Sequence, residues 1–156
     1  MVMKENEYSR KAGKLFCEGY NCAQSVFCAF SDDLGINFET ALKLSSSFGG
    51  GMGRLREVCG AVSAMFMIAG LKYGYTSPDD DKIKAQHYAR IQQLAEEFKK
   101  NNKSIICREL LGLDIQQDSP IPAKRTEQYY KARPCEQLVK EATYIISNYI
   151  NSSKHS

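Results

Sequence analysis

Six cysteines, Cys17, Cys22, Cys28, Cys59, Cys107 and Cys135, carry most of the chemistry this chain can offer. A thiolate is a nucleophile, a metal ligand and one half of a disulfide, and its surroundings decide which. Four of the six fall where the sequence predicts a helix to start. Cys22 follows an Asn21 cap, Cys59 opens a long apolar stretch, Cys107 lies three residues after Ser104, and Cys135 follows Pro134. Unpaired amides and the positive end of the helix dipole favour an anion in a first turn, so these four thiols are expected to ionise more readily than a free cysteine. Side-chain charges add little to that expectation. Arg54, Arg56, Arg108 and Arg133 lie near the cysteines in sequence, but so do Glu57, Glu109 and Glu136.

Convergence of the four helix starts would allow a tetrahedral metal site, an iron–sulfur cluster, or two dithiol pairs. The spacing contains no C-x₂-C pair, so zinc-ribbon and ferredoxin motifs are absent and any metal site would be long-range. Four cysteines allow three pairings, and the sequence leaves all three open. The bland alternative is a helical scaffold in which every cysteine packs as an inert small hydrophobe.

Other candidate groups are weaker. The run Gly49, Gly50, Gly51, Met52, Gly53 suggests a cofactor phosphate cradle, but it lacks the Lys-Ser or Lys-Thr of a P-loop and no strand precedes it. Close backbone approach beside Cys59 is the simpler role for these glycines, and a backbone anion nest is the remaining functional one. His87 reads as a partly buried structural histidine, His155 falls in the tail, and Asp79 to Asp81 read as helix-capping acids.

Apolar residues recur at helical spacing along most of the chain, which predicts an all-α compact bundle of about six or seven helices around a central apolar helix. The first helix is expected over Glu5–Glu18, burying Tyr8, Ala12, Leu15 and Phe16. The second starts after Asn21, buries Ala23, Val26, Phe27 and Phe30, and ends near Asp33. Asn37 caps a third, which ends at the glycine run. The apolar helix runs from Val58 to Tyr73, and Gly74 closes it. Ser77 caps the fifth, which buries Tyr88, Ile91, Leu94, Ala95 and Phe98 and ends in the turn Lys99 to Lys103. Ser104 caps a sixth to Leu111, and Asp114 to Thr126 reads as loop. Pro134 opens the last helix, with Leu138, Val139, Ala142, Ile145, Ile146 and Tyr149 buried; residues 151–156 are expected to fray.

A chain of 156 residues matches one domain with its core over about residues 5–150, and 43% hydrophobic with 25% charged residues excludes global disorder. A net charge of +3 with interspersed signs offers no basic stripe, so nucleic acid is not an expected partner. The polar start, Met1 to Gly13, lacks a secretory apolar core, and the apolar run Val58–Leu71 falls short of the roughly 20 residues of a membrane span. A cytoplasmic protein without a membrane partner is therefore expected. A buried apolar helix with glycine-mediated packing is compatible with a homodimer as well as with a monomer.

The segments Asn21-Cys22-Ala23-Gln24-Ser25-Val26, Phe48-Gly49-Gly50-Gly51-Met52-Gly53 and Val58-Cys59-Gly60-Ala61-Val62-Ser63, followed by Cys107 and Cys135, resemble the C-GCAxxG-C-C family of redox-active proteins. The resemblance spans about Gly19 to Cys135. It implies a small all-helical protein in which Cys22, Cys59, Cys107 and Cys135 do redox or metal work, and it leaves Cys17 and Cys28 outside the pattern. The leading expectation is a thiol-dependent oxidoreductase: a helix-terminal thiolate, Cys22 or Cys59, exchanges with the disulfide of a redox partner protein or a small thiol, and another of the four resolves it. The alternative is a non-catalytic module in which the four cysteines ligate a metal ion or iron–sulfur cluster.

Overall fold

The computed structural model of the chain describes residues 4–152. Polar caps set most of the helix starts. Asn6 and Ser9 cap each other reciprocally at α1 (Glu7–Cys17), and Asn21 and Gln24 do the same at α2 (Cys22–Cys28). The Asn37 side chain accepts from the Thr40 amide at 2.8 Å to start α3 (Phe38–Ser46). A glycine turn, α4 (Gly49–Met52), leads to α5 (Gly60–Tyr73), for which Cys59 is the cap residue. Then come α6 (Asp81–Asn102), the single turn α7 (Cys107–Leu110), α8 (Glu127–Ala132) and α9 (Cys135–Asn151). Among the described residues there is no strand, only one bridge between Val58 and Ile106, so the fold is all-α.

The central helix is α5. Ala61, Val62, Ala64, Met65, Ile68 and Ala69 are wholly buried because α2, α9 and α6 all pack against it, which explains why this helix is apolar on nearly every side. α1 lies along α9 and α2, and α3 covers α2. Phe16, Phe27, Met65, Phe98 and Ile146 anchor the common core. No helix among the described residues is long and apolar enough to cross a membrane.

Several boundaries differ from the sequence expectation for local reasons. α1 is shorter at both ends, because Asn6 already caps it and Glu18 already closes it. α2 stops at Cys28 rather than near Asp33: the amide and hydroxyl of Ser31 both donate to the Cys28 carbonyl, at 3.3 and 3.0 Å, and tighten the chain into a turn. Asp80, not Ser77, caps α6. Tyr88 is 52% exposed rather than buried, its hydroxyl meeting that of Tyr75 at 2.9 Å. The Ser104 hydroxyl accepts from the Ile106 amide at 3.0 Å instead of starting a helix, so α7 begins only at Cys107.

Helix α8 was not foreseen. Its start is signalled by Thr126, whose hydroxyl accepts from the Tyr129 amide at 3.1 Å. In α9 the buried stripe takes in Thr143, which hydrogen-bonds back to the Val139 carbonyl at 2.8 Å, while Ile145 and Tyr149 are half-buried. The helix holds through Asn151 rather than fraying there; the rest of the expected frayed tail, residues 153–156 with His155, lies outside the described residues.

Candidate functional site

Each of the four cysteines stands where the chain turns into a helix: Cys22, Cys107 and Cys135 are the first residues of α2, α7 and α9, and Cys59 caps α5. Backbone pairing registers two of them. The Cys59 amide donates to the Ile105 carbonyl at 2.8 Å, and the Cys107 amide to the Glu57 carbonyl at 2.6 Å, so residues 57–59 and 105–107 run side by side.

The glycine turn wraps over this pairing. Gly50 and Gly51 take positive φ of 69° and 70°, a left-handed course that glycine adopts without penalty. A Cβ on Gly51 would stand 2.6 Å from the Cys107 Cβ, and one on Gly60 would stand 2.5 Å from the Cys22 sulfur. Only glycine allows the backbone this close to both side chains. The amides of Gly50, Ala23 and Gly60 favour the charged form of the Cys22 sulfur, so the group at hand for the backbone nest is a side chain of the protein itself.

All four cysteines line one cavity of about 280 Å³. Cys17, exposed at the end of α1, and Cys28, buried at the end of α2, are not among its lining residues. Gly49, Gly50 and Gly53 form part of the wall, and Gly51 is buried behind Cys107. Every cysteine is a free thiol.

Burial dominates the electrostatics. It pushes the Cys22 thiol up against the opposing backbone amides, of which that of Gly50 is the strongest, and the neighbouring Cys107 adds to the rise. Cys59 is pushed up by burial first, then by Cys22, with the amides of Val62 and Ala61 opposing. Burial and the nearby Cys22 push Cys135 to about 12, although Arg133 and Arg125 pull the other way. The expectation that first-turn placement makes these thiols easy to ionise is thus overturned for three of the four: the loss of water outweighs the helix-end amides.

Cys107 has a different neighbour. Nη1 of Arg56 lies 3.6 Å from its sulfur, and Arg56 is only 2% exposed. Burial opposes the charge of this guanidinium, but its hydrogen bonds to Asp118 and Cys107 prevail and raise its pKa. One oxygen of Asp118 takes Nε and Nη2 of Arg56 at 3.2 and 2.8 Å and Nη2 of Arg54 at 3.0 Å. The hydrogen bond from Arg56 and that from the Ser119 amide hold the Asp118 carboxyl below the usual carboxylate range. Arg54 and residues 118–119 also exchange backbone contacts, which bring Pro120, Pro122 and Ala123 over the cavity.

Of the glutamates that cancel the arginines along the sequence, only Glu57 meets one of them in space, and that one, Arg108, is not among the residues lining the cavity. Glu57 pairs with Arg108 at 3.2 Å, Glu109 takes the Ser104 hydroxyl, and Glu136 pairs with Lys140 at 3.7 Å. Arg54, Arg56, Arg125 and Arg133 line the cavity, and among the described residues no carboxylate does. Asp118, Arg125 and Tyr129 were missed in the sequence. Arg125 donates to the carbonyls of Phe16 and Tyr20 at 2.8 and 2.9 Å, more than a hundred residues away, and no local signal reports that.

Among the described residues no three His, Cys, Asp or Glu side chains come together as a metal-binding set. The four thiols share a cavity without meeting that arrangement, so no chemistry is routed through a metal or cluster. His87 packs against Tyr75 and Arg90; burial and then Arg90 lower its pKa.

The model of one family, described as "Putative redox-active protein (C_GCAxxG_C_C)", matches residues 20–149, a span that contains all four cavity cysteines. The chain belongs to the C_GCAxxG_C_C family. No curated protein and no solved structure is similar enough to add to that assignment. Membership assigns this C_GCAxxG_C_C protein a redox-active character and leaves the mechanism to its own geometry.

Proposed function

We propose that this protein is a dithiol–disulfide redox protein in which Cys107 attacks and Cys22 resolves. The observation that carries the reading is the gathering of four sequence-distant cysteines around one cavity. Cys107 is favoured over Cys22 and Cys59 as the attacking group because the buried Arg56 guanidinium faces its sulfur, whereas burial keeps the other two protonated. Cys22 is favoured as the resolving partner because Cys107 is the foremost charge acting on it, whereas at Cys59 and Cys135 the Cys107 charge ranks behind that of Cys22.

The reaction starts with the Cys107 thiolate attacking one sulfur of a substrate disulfide. An S–S bond forms between protein and substrate, the substrate's own S–S bond breaks, and one substrate thiolate leaves with the proton that Cys107 gave up. The Cys22 sulfur then attacks Cys107, closing the protein disulfide. The second substrate thiolate leaves with the Cys22 proton. Two electrons pass from the protein dithiol to the substrate disulfide, and the reverse sequence oxidises a substrate dithiol or thiol pair. Cys59 and Cys135 line the same cavity as the pair. A reducing compartment such as the cytoplasm would hold the pair as thiols at rest.

The test is equilibration in thiol–disulfide buffers followed by alkylation and peptide mapping. A Cys22–Cys107 crosslink, with Cys17 and Cys28 remaining alkylatable, is the expected product. Six free thiols at every poise would overturn the reading; a crosslink between other members of the four would overturn the assignment of roles.

A further inference from the structure

The cavity wall carries positive charge that thiol exchange alone does not require. Four guanidinium groups line it, and the single carboxylate bonded to any of them among the described residues, Asp118, is shared by Arg54 and Arg56. Three cations are left in excess, which equals the formal surplus of +3 for the whole chain, so the rest of the molecule is formally neutral. The surplus is concentrated at this one place.

Two of the four arginines have no carboxylate partner among the described residues. Arg125 directs its Nη groups at the carbonyls of Phe16 and Tyr20 and at the Tyr130 hydroxyl, which fixes its position without neutralising it. Arg133 stands 5.1 Å from the centre of the Tyr129 ring, and Arg125 stands 5.0 Å from the same ring. Tyr129 therefore brings two uncompensated guanidinium groups together beside Cys135. The thiols do not balance them: Cys22, Cys59 and Cys135, raised mainly by burial, are protonated near neutral pH.

The remaining wall is apolar, with Phe16, Leu110, Pro122 and Leu138. At about 280 Å³ the space lies at the lower edge of the roughly 300–1,000 Å³ typical of small-molecule sites, which suits a compact ligand rather than a folded partner's loop. Guanidinium forks match carboxylates bidentately, and a ligand for a thiol pair must offer sulfur. We propose that the cavity binds a small carboxylate-bearing disulfide, with Arg125 and Arg133 holding a carboxylate while its sulfur meets the Cys22–Cys107 pair. This substrate class rests on the dithiol reading above, and the reaction is the exchange written there, the bound disulfide being reduced to two thiols as the protein pair is oxidised.

The experiment compares three disulfides of similar size as oxidants of the reduced full-length protein in single turnover: dithiodipropionate, its neutral diamide, and the dication cystamine. Dithiodipropionate is expected to react about tenfold or more faster than the diamide, with cystamine slowest. The preference should shrink in Arg133→Gln and return in Arg133→Lys, with melting curves confirming that both fold. Equal rates for the three disulfides on the unsubstituted protein overturn the substrate class and leave the dithiol reading standing.

Binding of the unreactive thioether thiodipropionate, measured by calorimetry, separates the two ideas. Should no disulfide oxidise the protein, the dithiol reading fails and this binding decides the anion site by itself. Affinity at least about tenfold above that of the thioether's diamide, and weakened in Arg133→Gln, sustains the site; no preference over the diamide overturns it.

Discussion

Replacing Gly60 by alanine tests whether the close approach of α5 to Cys22 holds the site together. The new Cβ would stand 2.5 Å from the Cys22 sulfur, 2.7 Å from the Phe48 carbonyl oxygen and 3.1 Å from the Ala23 amide. Two of those neighbours are backbone atoms that cannot swing aside, so α5 must shift as a unit or Cys22 must leave its place. Overpacking of this kind costs about 1–3 kcal/mol. Helix propensity returns part of it, about 0.5–1 kcal/mol at an interior position and less here, where Gly60 opens the helix. The expected net loss is about 1–2 kcal/mol, or roughly 3–6 °C in melting temperature for a chain of this size.

Gly70 supplies the control in the same helix. A Cβ there meets nothing within 4 Å, so Gly70→Ala should gain about 0.5–1 kcal/mol from reduced unfolded-state freedom. Thermal melts of the reduced variants read both signs, and single-turnover oxidation reads the displacement of Cys22, which should slow only Gly60→Ala. If Gly60→Ala is stabilised as Gly70→Ala is and oxidises at the parental rate, the glycine does not seat Cys22 and the reasoning fails.

Three further outcomes follow from the charge network and the core. Arg125→Ala removes two hydrogen bonds to carbonyls and a guanidinium standing 4.2 Å from the centre of the Phe16 ring, and should cost about 2–4 kcal/mol in chemical denaturation; a loss under about 0.5 kcal/mol would show that the loop is held otherwise. Because its partners depress the Asp118 pKa, the stabilisation it gives is present above the unfolded carboxylate value, about 3.9, and fades as the pH falls through the folded value. Acid proteases should accordingly cut the 114–126 segment faster with falling pH in the parent, and Asp118→Asn should be cut readily throughout; a flat pH response in the parent would contradict the clasp. His87, lowered by burial and then by Arg90, binds its proton more weakly folded than unfolded, so stability should decline as the pH drops below about 6.5. His87→Gln should flatten the melting temperature across that range, and an unchanged slope would exclude His87 as its source.

Periodicity and capping residues made most helices legible. Asn21 and Asn37 mark true starts because each places an oxygen on an amide three residues on, and α5 was readable because burial on nearly every side demands apolar residues throughout. Illegible features depended on distant partners or on competing local bonds. Ser104 has the chemistry of a cap, but its hydroxyl serves the Ile106 amide two residues on, so the same residue type produced a turn. The four cysteines could be recognised by placement, whereas their convergence depends on the pairing of residues 57–59 with 105–107 and on α9 returning along α1. The direction of the thiol shifts was misjudged because a sequence reports the helix end and not the depth of burial.

Burial also explains why the arrangement needs Arg56. Burial keeps Cys22, Cys59 and Cys135 protonated, so a thiol pair that exchanges needs a sulfur with an opposing charge beside it. The opposing charge must itself be buried to reach Cys107, and a buried guanidinium without a carboxylate would be unstable. Asp118 resolves this from outside the cavity lining: one of its oxygens holds Arg56 and Arg54 together, and its amide donates to the Arg54 carbonyl, which ties the 118–119 segment to the chain just after the glycine turn. The residue that makes a charge tolerable next to Cys107 is thus the same one that brings Pro120, Pro122 and Ala123 over the cavity. The placement of Arg56 against the Cys107 sulfur and the closure of the wall are consequently linked through a single carboxylate, and a change that loosens one must loosen the other.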